Sequence, residues 1–175
     1  IPVKDTIVLP YRSSVGISNA DRIRGSGTII YNERNKKMLI LTAAHVVDDI
    51  QEITAYLSYS KIPQPLIVKK ISNDMDLALL ESVFPVKIDG PYVKLSKKIG
   101  VVGDHVIAIG CPVGECFTVT DGQISNYEKD DKILYYRFTA PSFFGNSGGG
   151  LFNDNSELIG VVDALSTYNL RGSTT

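Results

Sequence analysis

A serine set among glycines, Gly145-Asn146-Ser147-Gly148-Gly149-Gly150, stands directly ahead of the strand-like run Leu151-Phe152. A nucleophilic serine needs its hydroxyl exposed on a tight turn, with backbone N–H groups aimed at the oxygen that becomes negative during acyl transfer. Glycines suit both needs, because without a Cβ they accept positive φ and let a substrate backbone come close. The amides of Gly145 and Ser147 are the candidate oxyanion hole. Taken alone, the segment reads equally well as a glycine-rich hairpin loop, so the partners available to the serine decide.

Serine needs an imidazole base, and the chain has two histidines. His45 lies in Leu41-Thr42-Ala43-Ala44-His45-Val46-Val47, where a buried-looking strand ends in small residues. His105 heads a strand after a turn, in Val102-Gly103-Asp104-His105-Val106, and is expected to pack or to face solvent. The third requirement is a carboxylate that fixes the tautomer of the base and stabilises its charged form. Asp76, in Asn73-Asp74-Met75-Asp76-Leu77-Ala78-Leu79-Leu80, directly precedes an apolar strand that should bury its carboxylate beside the core. Asp74 is the alternative and reads as a solvated turn residue. Order along the chain separates the folds that share this chemistry. An α/β-hydrolase places its histidine after the serine, and here none follows Ser147; a subtilisin order needs an α/β sheet with long helices, for which there is no pattern. His45, Asp76, Ser147 is the order of the double-barrel proteases.

The elements that must hold these residues are short β-rich runs broken by Gly, Pro, Asn and Asp clusters. Strands are expected near 27–31, 38–42, 53–59, 66–72 and 77–81, and again near 106–110, 122–127, 133–139, 149–152 and 158–164, with one helical turn after Thr42. Residues 82–100, with Pro85, Gly90, Pro91 and Lys97-Lys98, read as a surface connection. Two halves rich in short strands fit closed antiparallel barrels, which remove sheet edges. The 175 residues carry a net charge of −1, too little basic excess for nucleic-acid binding, and 43% apolar residues suffice for a core. No apolar run reaches the roughly 18 residues of a membrane span. The chain opens at Ile1 without methionine, as a processed product or trimmed fragment would. A zinc site would have to recruit Cys111, Cys116, His45 and His105 without any CxxC or HxxxH spacing, so neither metal nor cofactor is expected. The two cysteines, five apart in a turn-prone loop, could bridge only a very short ring and are expected to be unpaired thiols.

Taken in order, Gly25-Ser26-Gly27-Thr28-Ile29-Ile30, Leu41 to Val47, Asp76-Leu77-Ala78-Leu79-Leu80, Val102-Gly103-Asp104 with Ala108-Ile109-Gly110, Gly145 to Gly149 and Glu157-Leu158-Ile159-Gly160-Val161 resemble a trypsin-like (chymotrypsin-fold) serine protease of the HtrA-like branch. The resemblance implies an all-β fold of two antiparallel six-stranded β-barrels with the active site in the cleft between them. Residues 1–88 would form the barrel carrying His45 and Asp76, and residues 89–175 the one carrying Ser147. It implies a serine endopeptidase in which His45 is the general base, Asp76 its orienter and Ser147 the nucleophile, with an oxyanion hole from the Gly145 and Ser147 amides and a polypeptide substrate.

Departures from the family pattern carry information. Asn146 stands where digestive members have the aspartate that pairs with a freshly cut N-terminal amine; an amide cannot offset a buried ammonium, so Ile1 is not expected to be an activation terminus. Pro141, six residues before Ser147, replaces the acid of trypsin-like specificity. Leu165 falls where an open pocket would carry glycine, implying a shallow apolar pocket and cleavage after small or medium aliphatic residues. Counted the same way, Asp163 falls among the substrate-cleft residues, where the family has a small hydroxyl residue touching the triad carboxylate; a one-residue slip in the count would place it elsewhere. HtrA-like proteins usually carry a peptide-binding PDZ domain after the protease, and bacterial members work outside the cytoplasm, which leans the setting towards extracytoplasmic or secreted. The rival reading is a silent homologue that binds a peptide or partner protein in its cleft. A latent enzyme, whose loop around Pro141 to Phe144 orders on homo-oligomerisation or ligand binding, is kept open by the adjacent apolar pair Phe143 and Phe144.

Overall fold

A computed structural model of the chain describes residues 1–19, 22–49, 51–87, 89–112, 115–130, 133–142 and 146–163. Strands of alternating burial line up in the first half because each buries one face: β6 (Leu77–Ser82) alternates strictly, with Ala78, Leu80 and Ser82 inside. With β1 (Ser14–Asn19), β2 (Arg22–Tyr31), β3 (Leu39–Ala43), β4 (Ile53–Leu57) and β5 (Ser60–Ser72) it closes a six-stranded barrel in the order β1-β2-β3-β6-β5-β4. Closure leaves no free edge. Val15, Ile17, Ile29, Met38, Ile40, Ala55 and Leu80 are wholly buried in its core.

The second half contributes β7 (His105–Gly110), β8 (Thr118–Asp130), β9 (Ile133–Phe138), β10 (Gly150–Phe152) and β11 (Leu158–Val161), ordered β11-β10-β7-β8-β9. Among the described residues this is a five-stranded sheet. A 3-10 turn (Asp5–Ile7) and a short helix, α1 (Val8–Ser13), precede the barrel, and α2 (Ala44–Val47) follows β3.

Two expectations change. The segment 82–100 is not wholly surface: Val93 is fully buried and donates its N–H to Ile29 O at 3.1 Å, while Leu95 bridges Leu158. The alternation of apolar and polar residues there is too irregular to reveal that its middle is threaded between barrel and sheet. Cys111 and Cys116, expected to be unpaired, form a disulfide. The end of β7 and the approach to β8 run side by side, which brings the two thiols together, and Gly16 leaves the room, since a Cβ there would meet both sulfurs at 3.0 Å.

Candidate active site

A helix of four residues has almost as many orphan N–H groups as residues, and the N-cap position of α2 is Ala43, whose side chain cannot accept a hydrogen bond. Asp76 acts as the cap from 31 residues away. Its Oδ1 accepts the His45 N–H at 2.9 Å, its carbonyl accepts the Ala44 N–H at 3.0 Å, and its Oδ2 lies 2.6 Å from His45 Nδ1. The β3–β6 register, with Ala43 opposite Leu77, places it there. To aim both carboxyl oxygens and its carbonyl at α2, Asp76 adopts a left-handed φ of 52°, which aspartate tolerates better than most side chains. A carboxylate at Nδ1 keeps the ring proton there, leaving Nε2 as the acceptor.

Ser147 sits half-buried on a turn tied to both halves of the molecule. Its carbonyl accepts the Ser26 N–H from β2 at 2.9 Å; Gly148 donates to Val162 O at 2.7 Å, and Val162 donates back to Gly149 O at 2.8 Å. Gly148 has φ +86°, and a Cβ there would lie 2.2 Å from Thr42 Oγ1 and 2.3 Å from Ser26 O, so only glycine fits. The Ser147 hydroxyl donates to the Asp163 carbonyl at 3.2 Å.

Asp163 follows β11, and its carboxyl lies 4.0 Å from His45 Nδ1. One donor or acceptor atom from each of His45, Asp76 and Asp163 falls within 4.8 Å of the others. Burial pushes the Asp163 carboxyl up, and the hydrogen bond and charge of Asp76 push it further, to about 6 against the opposing pull of His45. Burial also works to raise Asp76, but hydrogen bonds from Asp163 and His45 outweigh it and hold that carboxyl below its ordinary value. The two acids are driven apart, as expected when like charges share a site.

The structure thus clusters His45, Asp76 and Asp163, and Ser147 is tied to Asp163 through the hydrogen bond from its hydroxyl to that residue's carbonyl. Asp74 is exposed in the turn before Asp76. Pro141 is exposed, its carbonyl accepting from Thr120 Oγ1 at 2.7 Å. Asn146 is buried while Ile1 lies fully exposed. Gly145, Phe143, Phe144 and Leu165 fall outside the described residues. His105 faces solvent between Asp154 and Asp121, its Nδ1 at 2.6 Å and its Nε2 at 3.3 Å from their carboxylates. Cys111 and Cys116, bonded to each other, are withdrawn as thiolate ligands. Reasoning from sequence missed Ser26 and Thr42, which brace the turn: the Thr42 hydroxyl donates to Ser26 O at 2.7 Å, and Ser26 Oγ accepts the Cys111 N–H at 2.8 Å. The signal was present, since both lie inside quoted motifs, but a hydroxyl flanked by glycine or alanine reads as small before it reads as a brace.

Residues 25–161 match the model of the trypsin-like peptidase domain. The chain is 36% identical over 154 residues to a probable periplasmic serine endoprotease DegP-like of Pseudomonas putida (strain W619), covering 82% of this chain and 29% of that protein. It is 34% identical over 148 residues to the periplasmic pH-dependent serine endoprotease DegQ of Escherichia coli (strain K12), covering 81% of this chain and 31% of the relative. Against the mitochondrial serine protease HTRA2 of Drosophila pseudoobscura pseudoobscura it is 34% identical over 172 residues, covering 92% and 38%. The chain therefore spans about a third of the length of these curated relatives. Among solved structures, a serine endoprotease from Yersinia pestis superposes with a TM-score of 0.75 at 28% identity, covering 92% of this chain and 57% of that one.

Proposed function

We propose that this chain, which belongs to the trypsin-like peptidase domain family, is a serine endopeptidase working through an acyl-enzyme. The observation that carries the reading is the grip of Asp76 on His45, one carboxylate holding both the backbone N–H at 2.9 Å and ring Nδ1 at 2.6 Å. A histidine fixed in this way has one tautomer and one orientation, which is what a general base requires. In this reading the Ser147 hydroxyl leaves the Asp163 carbonyl, to which it donates at 3.2 Å, and donates instead to Nε2. His45 takes the proton as Oγ attacks the scissile carbonyl, and returns it to the leaving amine; water then repeats the sequence on the ester. Asp76 stabilises the imidazolium formed in each half, and the amides of Gly145 and Ser147 take the developing oxyanion.

The substrate is an extended polypeptide, cut after small or medium aliphatic residues, because Pro141 offers no charge to a basic side chain and the family resemblance sets Leu165 where an open pocket would carry glycine. The relatives named as periplasmic support an extracytoplasmic setting. Labelling with a fluorophosphonate probe tests the reading: the adduct should map to Ser147 and vanish in Ser147→Ala, and a peptide library should then show Val, Ala or Leu before the cut. Folded protein that takes no label, or a library profile dominated by Lys or Arg, counts against the activity or the specificity respectively.

A further inference from the structure

Among the described residues the charged groups facing the Asp163 carboxyl are Asp76, from the turn ahead of β6, and His45, on α2; no lysine or arginine joins them. A carboxyl is an unusual neighbour for a carboxylate that already holds an imidazole, because two ionised acids at this spacing repel and both attract the proton that the base must be free of. We infer that Asp163 is a positioning residue that sets the pH at which the site becomes active, by sharing a proton with Asp76 and competing with His45 for it. The inference rests on the reading of His45, Asp76 and Ser147 as a triad.

With the shared proton on Asp163, its O–H donates to Asp76 and the imidazole stays neutral, able to accept from Ser147. With that proton on the ring, the imidazolium has two carboxylates on its Nδ1 side and no lone pair to offer. The two forms differ only in where one proton sits, so the groups titrate as a unit. Full activity is reached when the proton leaves to solvent or rests on Asp163. Asparagine removes the competition: its amide N–H donates to Asp76 at every pH, and no second negative charge can form to favour the imidazolium.

The test is the rate of fluorophosphonate labelling from pH 5 to 9 for the unaltered chain, Asp163→Asn and Asp163→Ser. Both variants should start to label at lower pH and along a single-proton limb. At pH 6 they should react about 3- to 10-fold faster than the unaltered chain, a limb displaced by half to one pH unit, and the rates should converge by about pH 8.5. Superimposable profiles overturn the inference. Carboxyl 13C NMR of Ser147→Ala provides a second reading that needs no activity. There Asp163 should titrate near 6 with a matching inflection at Asp76, which disappears when Asp163→Asn is added; an Asp163 that titrates as an isolated carboxyl, about 3.9, overturns the shared proton. Absence of labelling at every pH with the NMR coupling intact counts against the triad reading alone.

Discussion

Asp76 joins local backbone geometry to chemistry: its left-handed turn, φ 52°, lets one residue cap α2 and hold the ring of His45. The two tasks are separable by substitution. In Asp76→Asn the side-chain oxygen can still accept the His45 N–H, but the amide nitrogen cannot accept from Nδ1, so the ring takes the wrong tautomer and turnover should fall about four orders of magnitude with little change in stability. Asp76→Ala removes the side-chain half of the cap as well and should cost about 1 to 2 kcal/mol in a urea melt. Turnover within tenfold of the unaltered chain in Asp76→Asn would mean that something other than Asp76 orients the ring. The sequence distinguishes Asp76 from Asp74, since only the former adjoins an apolar strand. It does not disclose the helix cap, which depends on register between strands far apart in the chain; Asp163 beside Asp76 is reached only through the family count, which a slip of one residue would undo.

The elements were legible in proportion to their periodicity. β6 and β3, alternating or continuously apolar, lie within a residue or two of where the pattern puts them. β1 was not, because Ser14, Gly16 and Ser18 are buried on the face opposite Val15 and Ile17, and a strand with small polar residues inside gives no contrast. The helix α1 contains Pro10 and runs six residues, too short to show a helical period. β7 opens on His105, whose position at a strand start was readable but whose partners were not: Asp121 on β8 and Asp154 on the β10–β11 turn. Hydrogen bonds to these two acids, Asp154 first, raise the imidazole above its ordinary value. A base held protonated in the folded state contributes stability below its unfolded value of about 6.5, and that contribution fades as pH rises through the folded one. His105→Gln should therefore melt a few degrees lower than the unaltered chain near pH 5.5, a modest gap because the groups are exposed, and the gap should close by about pH 8.5. A gap that is constant or widens with pH would rule out an ion-paired clamp.

Across the whole molecule, one apolar cluster joins the second half to the outside of the barrel. Val93, Ile107, Ile109, Phe152 and Leu158 are buried against Ile30 and Leu41 from the outside of the barrel and Tyr11 from α1. Phe152 is fully buried at its centre, and Phe152→Ala should cost about 3 to 5 kcal/mol, seen in denaturant as one transition at lower midpoint for both halves together. Two separate transitions would show that barrel and sheet hold themselves up independently. The two-half pattern and the all-β class were readable from strand spacing; the seam was not, because Ile107, Ile109, Phe152 and Leu158 read as ordinary strand residues and Val93 as part of a surface connection, with no local signal of which face meets the barrel. Ser147 likewise stands between the halves, since its turn hangs on Ser26 from the barrel and on Val162, which follows β11. His45 and Asp76, for their part, meet only when β3 and β6 have paired. A chain caught part-way through folding therefore carries the side chains of the candidate site without their alignment, so on the proposed reading no activated serine exists until barrel and sheet have both formed.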